Sequence, residues 1–159
     1  MKKLLFIATG GTIASGDSGS GLSPEASAEE LLSGVNLPDA EIHAIQPFAL
    51  DSTDLTPQHW MEVAALIRDR WQDFDGFVIT HGTDTMEETA YFLNLTVKCK
   101  KPVVLVGAML PSTGLGADGP RNLYNAVLTA ATKETAKQGV VVAMNNIVVG
   151  ARDLMKSNT

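Results

Sequence analysis

Four almost entirely apolar runs, rich in valine, leucine and isoleucine, recur along this chain of 159 residues. They lie at about residues 3–8, 77–80, 102–106 and 139–144. Continuous apolar runs of this length are typical of strands in parallel sheets whose two faces are both covered. Segments with helical periodicity separate the runs, so strand and helix alternate along the chain. The sequence therefore predicts an α/β fold in three layers, with a mostly parallel sheet flanked by helices.

Three helices are predicted from capping residues and apolar spacing. The clearest covers residues 57–72 and follows Thr56, a good N-cap residue. A second is predicted from Thr85, which has capping-box spacing to Glu88, and a third follows Asp118, predicted as its cap. In the first helix the apolar side chains recur every three or four residues and form one face: Trp60, Val63, Ala64, Ile67 and Trp71.

The connections carry weaker signals. Within a long connection at residues 14–40, glycine and serine predict mobility over residues 15–21, and a short helix is predicted at residues 25–32. Residues 41–45 alternate polar and apolar side chains, as a half-buried edge strand does. Asn145 and Asn146 predict a tight turn. The polar residues 151–159 are predicted to be free unless another part of the molecule holds them.

Composition and charge narrow the functional classes. The length fits one domain, residues 1–159, and no domain boundary is visible. The net charge is −6 without any run of lysine or arginine, which argues against a nucleic-acid partner. The first apolar run is too short for a signal peptide and no run is long enough to span a membrane, so we expect a cytoplasmic protein. Cys99 is the single cysteine, so we expect neither an internal disulfide nor a metal site.

Hydroxyl-bearing residues follow two of the predicted strands directly. Thr12 lies in the run Thr-Gly-Gly-Thr after the first strand, and Thr83 and Asp84 lie in the run His-Gly-Thr-Asp-Thr after the second. In an open α/β sheet such loops line the ligand crevice. A threonine nucleophile needs a base within hydrogen-bond reach, and Lys156 would serve if burial kept its amine neutral. Gly10 and Gly11 would let the backbone pass beside a bound substrate and would expose N–H groups suited to an oxyanion hole.

The residues of these two turns have two alternative interpretations. Asp84 or Thr85 could simply cap the following helix, which is compatible with a catalytic role. Residues 11–16 have the glycine spacing of a phosphate-binding loop, but the next residue is Asp17, where such a loop carries lysine. The glycines at residues 19–21 are not followed by a dinucleotide fingerprint either. A nucleotide cofactor is therefore disfavoured.

Several stretches also resemble the signatures of one enzyme family. They are residues 9–14, residues 76–90, residues 106–109 with 117–120 and 122–126, and Arg152 with residues 156–159. On these residues the chain resembles the bacterial-type L-asparaginases, including the asparaginase–glutaminases. The resemblance covers almost the whole chain, as the amino-terminal domain of the family. It implies a flavodoxin- or Rossmann-like domain.

The resemblance implies hydrolysis of L-asparagine to L-aspartate and ammonia, without cofactor or metal. Thr12 corresponds to the nucleophile, and a second triad corresponds to Thr83, Asp84 and Lys156. Ser52 corresponds to the group that binds the α-carboxylate of the substrate, and Asp84 to the group that pairs with its α-ammonium. The pocket is completed by residues implied to line it: Gly11, Thr53, Gly82, Thr83 and the Ala108 backbone. The family forms homotetramers, and glutamine is expected to be a poorer substrate than asparagine.

The sequence departs from the family pattern in two respects. The loop after the first threonine usually carries a tyrosine, but residues 13–50 contain none. Family chains are also about twice as long, and their smaller carboxyl-terminal domain supplies an acidic residue to a neighbouring site; we expect that domain to be absent from this chain. Two alternatives follow: an impaired fragment that binds the amino acid without turnover, or the amidase subunit of a tRNA-dependent amidotransferase, which needs a partner chain.

Overall fold

The computed structural model describes residues 1–17, 22–24 and 26–156. Eight strands lie in these ranges: β1 Lys2–Ala8, β2 Ser15–Asp17, β3 Leu22–Pro24, β4 Ala40–Ile45, β5 Gly76–Thr80, β6 Val103–Val106, β7 Val140–Met144 and β8 Ile147–Gly150. The same ranges contain four α-helices: α1 Ala28–Leu32, α2 Pro57–Arg70, α3 Met86–Thr96 and α4 Gly119–Ala131. The predicted alternation of strand and helix is confirmed.

Six of the strands form one sheet in the order β4-β1-β5-β6-β7-β8. Adjacent strands are parallel, except that β7 and β8 are antiparallel. After β1, the chain forms β4 on one side of β1 and then returns to form β5 on the other side of β1. The five parallel strands therefore have the flavodoxin-like order, and β1 and β5 flank the topological switch point, where ligands bind in such sheets.

Side chains of the central strands alternate between two apolar layers, which makes the molecule three layers deep. In β1, Leu5 and Ile7 pack with α2 and α3, whereas Leu4 and Phe6 pack with α4 on the opposite face. All four are completely buried, and each contributes roughly 1.5–3 kcal/mol through removal of apolar surface from water. This core fixes the sheet and therefore the positions of the loops at its carboxyl edge.

The main helices lie close to their predicted positions. Helix α2 ends at Arg70, and its residues Val63, Ala64 and Ile67 are buried as predicted. The prediction for Trp71 is wrong, because this residue follows the last helical turn and is 38% exposed. The buried stripe of α3 includes Met86, Ala90 and Leu93.

The connection after β1 is more structured than predicted. Residues 15–17 pair with residues 22–24 as the antiparallel strands β2 and β3, whereas the rest of the stretch predicted to be mobile, residues 18–21, lies outside the described residues. The predicted short helix begins later, because Ser27 and Glu30 form a reciprocal capping box: Ser27 Oγ accepts from Glu30 N at 3.2 Å and Glu30 Oε2 accepts from Ser27 N at 2.7 Å.

The end of the described chain is held by the core, which meets the condition stated for its attachment. Asn145 and Asn146 form the predicted tight turn, with φ values of 54° and 63°. Strand β8 then returns along β7, Ala151 N donates to Val140 O at 3.0 Å, and Leu154 packs against the α2–α3 layer. Residues 157–159 lie outside the described residues. In the described ranges, no helix has the length and apolar character needed to cross a membrane.

Candidate active site

The two threonine-bearing turns leave adjacent strands whose ends are joined by side-chain hydrogen bonds. Thr9 N donates to Thr80 Oγ1 at 3.0 Å, and the Thr9 hydroxyl donates to the Thr80 carbonyl oxygen. Both residues are buried. Because Thr9 directly follows β1 and Thr80 ends β5, these bonds hold the two following turns together at the switch point.

The two turns touch through their glycines. Gly11 has φ of 87°, and a Cβ atom added to it would lie 2.4 Å from Gly82 N and 2.7 Å from Gly82 Cα. Only glycine allows the two backbones to approach this closely. Thr12 and Thr83 are the next residues in their turns, and both are partly buried. The structure thus brings together the two motifs that are 71 residues apart in the sequence.

Ser52 packs against the same contact from the loop after β4. It lies in a short 3₁₀ turn, Ser52–Asp54, and is 4% exposed, whereas its neighbour Thr53 is exposed. A Cβ atom on Gly82 would lie 2.8 Å from both Cβ and Oγ of Ser52. Ser52 therefore lies directly beside the turn that carries Thr83 and Asp84.

Thr85 does not form the predicted capping box with Glu88. Its hydroxyl donates instead to Ser52 O at 2.9 Å, and its N–H donates to Ser52 Oγ at 3.3 Å. Thr85 occupies the N-cap position of α3 without a side-chain capping bond. Capping-box spacing in the sequence could not reveal this, because the competing acceptor comes from a residue 33 positions earlier.

Asp84 and Lys156 form an ion pair beside Thr83. Lys156 Nζ donates to Asp84 Oδ1 at 2.5 Å, and the Lys156 N–H donates to Glu87 Oε2 at 3.3 Å. The lysine side chain is 26% exposed and that of the aspartate 60%. Lys156 is a donor in this geometry, so it acts as a base only after it has released a proton. Glu87 was not selected by the sequence analysis; its contact with the Lys156 backbone depends on the attached chain end.

A cavity of about 300 Å³ adjoins Thr83 and Lys156. Its other walls are mainly apolar and methionine-rich, with Met86, Met109, Met144 and Met155 among them. Thr12, Ser52 and Asp84 do not line it. The cavity therefore lies on one side of the candidate site residues and does not enclose them.

The loop after β6 closes the site on a third side. A Cβ atom on Gly107 would lie 2.7 Å from His81 O and 3.3 Å from Thr83 Cγ2, so this loop packs directly against the Thr83 turn. Ala108, the next residue, is buried. Ala108, whose backbone the resemblance implies as a pocket wall, therefore follows directly the residue that packs against the Thr83 turn.

Asp118 holds this loop rather than capping α4 through its side chain. Its carboxylate accepts from Met109 N and Leu110 N, each at 3.0 Å, and Asn122 Nδ2 donates to it at 3.0 Å. Burial alone would raise the pKa of Asp118, but these hydrogen bonds outweigh that effect and lower it. Asn122 Nδ2 also donates to Gly107 O at 3.0 Å. The sequence marks residues 117–120 and 122–126 as part of a signature and predicts Asp118 only as a helix cap, so it does not reveal these bonds to the β6 loop.

His81 is a buried, neutral support of the Thr83 turn. Its Nδ1 donates to Gly82 O at 2.6 Å, and the Thr89 hydroxyl donates to its Nε2 at 2.7 Å. Burial is the main cause that lowers the pKa of His81 to about 4. His81 is therefore uncharged near neutral pH, and both of its ring nitrogens are occupied by structural hydrogen bonds.

The predicted oxyanion donor is not available at Gly11. Its N–H donates to Leu50 O at 3.2 Å, because the loop after β4 pairs with this turn. No group of three or more metal-ligating side chains occurs in the described parts of the chain. Cys99 is partly buried, and its thiol lies 3.7 Å from Lys101 O.

Comparison with known proteins identifies the family. The family model that describes the amino-terminal domain of asparaginases matches residues 3–159 of this chain. The chain belongs to the asparaginase family. Among its relatives, the probable periplasmic L-asparaginase of Haemophilus influenzae is 51% identical and L-asparaginase 2 of Escherichia coli is 50% identical. Each alignment covers 100% of this chain and 47% of the relative.

A solved asparaginase structure has the same fold. The crystal structure of the probable cytoplasmic L-asparaginase from Campylobacter jejuni matches with a TM-score of 0.89 and 44% identity, over 99% of this chain and 49% of the other. The chain therefore spans about half the length of the asparaginases that it matches. The resemblance drawn from the signatures, and the three-layer α/β fold expected from it, are both confirmed.

Proposed function

We propose that this protein hydrolyses the side-chain amide of L-asparagine to L-aspartate and ammonia. Membership of the asparaginase family supports the reaction class. The observation that carries the proposal is the contact between the Thr12 and Thr83 turns, made through Gly11 and Gly82, beside the ion pair of Asp84 and Lys156. The turns that carry these hydroxyl and carboxylate groups thus lie side by side at the switch point of the sheet, where this fold class binds ligands, which supports the proposal.

The proposed substrate is a zwitterion, and the site offers a partner for each of its charges. Ser52 supplies a hydroxyl donor for the α-carboxylate, whereas Asp84, which is 60% exposed, supplies a carboxylate for the α-ammonium. Hydrogen bonds in which one partner is charged are the stronger ones. This pairing favours an α-amino acid over a simple amide.

The proposed reaction proceeds in two balanced steps. The Thr12 hydroxyl oxygen attacks the amide carbon, the C–N bond breaks, and the hydroxyl proton leaves with the nitrogen as ammonia. Water then attacks the resulting ester, which releases aspartate and restores the Thr12 hydroxyl. Thr83, Asp84 and Lys156 form the group that moves protons or activates the water. Besides asparagine, the reaction consumes only water. The proposal includes no cofactor or metal.

Alanine substitutions at the two threonines test this function. We expect ammonia release from L-asparagine by the full chain to fall at least about a hundredfold in both Thr12→Ala and Thr83→Ala, because each removes a hydroxyl from the reacting centre. Thr96→Ala is the matched control: the Thr96 hydroxyl donates within α3 to Phe92 O at 2.8 Å. Equal rates in all four proteins would contradict the proposal.

We also propose that asparagine is preferred to glutamine. A relative from Acinetobacter glutaminasificans, 44% identical, is named glutaminase-asparaginase, so both amides occur as substrates among the relatives. The ratio of the two kcat/KM values measures the preference, and a ratio near one would reject it.

The remaining proposals concern assembly and compartment. We propose a homotetramer in the cytoplasm. The name of the Campylobacter jejuni relative agrees with a cytoplasmic location, whereas the name of the Haemophilus influenzae relative gives the periplasm. Cell fractionation decides between the two compartments.

A further inference from the structure

Thr85 gives up a favourable local interaction for a remote one. A threonine at an N-cap position stabilises its helix when its hydroxyl accepts a hydrogen bond from the first helical turn. Thr85 makes no such bond; its hydroxyl donates to Ser52 O at 2.9 Å. Proteins break local rules of this kind mainly at functional sites. The remote partner, Ser52, is the residue proposed to bind the α-carboxylate.

The two hydrogen bonds from Thr85 hold both the backbone carbonyl and the side-chain hydroxyl of Ser52. The Thr85 hydroxyl holds the Ser52 carbonyl, and the Thr85 N–H donates to Ser52 Oγ at 3.3 Å. Since the hydroxyl oxygen of Ser52 already accepts a hydrogen bond there, its own proton points elsewhere and is available to an anion. The side chain of Ser52 has little other freedom, because it is 4% exposed and lies against Gly82.

The same bonds join the two halves of the binding site. Thr85 follows Asp84 directly, so the group proposed to hold the α-ammonium and the clamp on Ser52 belong to one short segment. The substrate carries its ammonium and α-carboxylate on one carbon atom, so their spacing is fixed. A small shift of Ser52 relative to this segment would change the distance between the two groups that bind them. Positioning to within about 0.5 Å is what a binding constellation of this kind requires.

We propose that Thr85 is a positioning residue for the substrate α-carboxylate and that it acts through Ser52. The proposal rests on the proposed function, since it assigns Thr85 to the same site. Thr85 does not contact the ligand. Its two hydrogen bonds set the distance between Ser52 and Asp84, and they orient the Ser52 hydroxyl as a donor.

Binding of three small ligands tests the proposal without turnover. L-aspartate carries both α-groups, succinate lacks the ammonium, and β-alanine lacks the α-carboxylate. NMR titration of the full chain measures each dissociation constant. We expect Thr85→Val to weaken binding of L-aspartate and of succinate by about tenfold, the effect of one hydrogen bond at the site, and to leave β-alanine within about twofold. Thr85→Ser keeps the hydroxyl and should bind all three ligands like the wild type.

A double-mutant cycle tests whether Thr85 acts through Ser52. If it does, adding Thr85→Val to Ser52→Ala should cause no further loss of L-aspartate binding. Thr96→Val is the control for loss of a hydroxyl elsewhere in α3. Thr85→Ala replaces Thr85→Val if the valine variant does not fold.

Three results would overturn the proposal. They are equal weakening of all three ligands by Thr85→Val, a full additional loss in the double variant, and no binding of L-aspartate by the wild type. Failure of the proposed function has a different signature: L-aspartate binds, with the expected response to Thr85→Val, but no ammonia is released from asparagine.

Discussion

At the scale of single residues, buried polar side chains hold the turns that carry the reactive groups. His81 is 1% exposed, and both ring nitrogens are engaged, by Gly82 O and by the Thr89 hydroxyl. A charged imidazole at this position would lose its hydration and the hydrogen bond that its Nε2 accepts. The Thr83 turn therefore depends on a histidine that stays neutral.

This arrangement predicts that acid destabilises the protein through His81. Its pKa is about 4 in the folded protein and about 6.5 in the unfolded chain, so the unfolded chain binds the proton first as the pH falls. The contribution of neutral His81 to the free energy of unfolding is complete above pH 6.5 and is lost between about pH 6.5 and pH 4. The loss is about 3 kcal/mol at most. Urea unfolding across this range measures the free energy of unfolding at each pH.

Two variants isolate the contribution of His81. His81→Gln cannot titrate in this range and should remove this part of the pH dependence, although it lowers stability at pH 7. His43→Gln is the control, since the His43 side chain is exposed, pairs with Glu41 and lies at the edge of the Phe74 ring rather than under a functional turn. The explanation is wrong if both variants keep the slope of the wild type.

At the scale of elements, the site is built from four loops at one edge of the sheet, and each loop is held by a different kind of contact. The loop after β6 depends on the carboxylate of Asp118, which satisfies the N–H groups of Met109 and Leu110. Asn122 ties the same loop to α4 and accepts from Asn145 N at 3.1 Å. One buried amide thus connects the β6 loop with the β7–β8 turn.

Asp118→Asn is expected to loosen the β6 loop. An amide has one oxygen where the carboxylate has two, so one of the two backbone N–H groups would face another donor. Loss of a charge-assisted hydrogen bond costs about 1.5–3 kcal/mol. We expect lower stability in urea and faster amide hydrogen exchange at Met109 and Leu110. Asp69→Asn, an exposed change on α2, is the control; unchanged exchange in Asp118→Asn would contradict this role.

At the scale of the whole molecule, the sheet ends in an exposed apolar edge. In β8, Ile147 is 61% and Val148 52% exposed, and the nearby chain end exposes Met155 at 75%. Exposed apolar edge strands promote association. This surface is therefore a candidate for the contact between subunits that the proposed homotetramer requires.

Light scattering tests this assembly. We expect a particle heavier than the 16.9 kDa chain, and we expect replacement of both Ile147 and Val148 by lysine to reduce its mass, because charged edge strands resist pairing. Met61→Lys is the control, since Met61 on α2 is also half exposed. A monomeric wild type at high concentration would reject self-association.

Local patterns in the sequence predicted the elements well and the contacts between them poorly. The buried stripes of α2 and α3 and the turn at Asn145 follow from side-chain spacing and backbone preference, which neighbouring residues determine. The bonds of Thr85 and Asp118 were predicted as helix caps, because a cap is the nearest use of such a residue. Both side chains instead reach partners that only the folded chain brings near.

The sequence by itself determined the α/β class, the two strands that precede Thr12 and Thr83, and the family, because periodicity and long motifs are properties of the chain alone. Tertiary structure decided that Gly11 meets Gly82, that Ser52 is clamped by Thr85, and that the chain end returns to place Lys156 on Asp84. The physical reason is strand order. The carboxyl ends of β1 and β5 are adjacent only because the chain crosses over at the switch point, and no local pattern records that crossing.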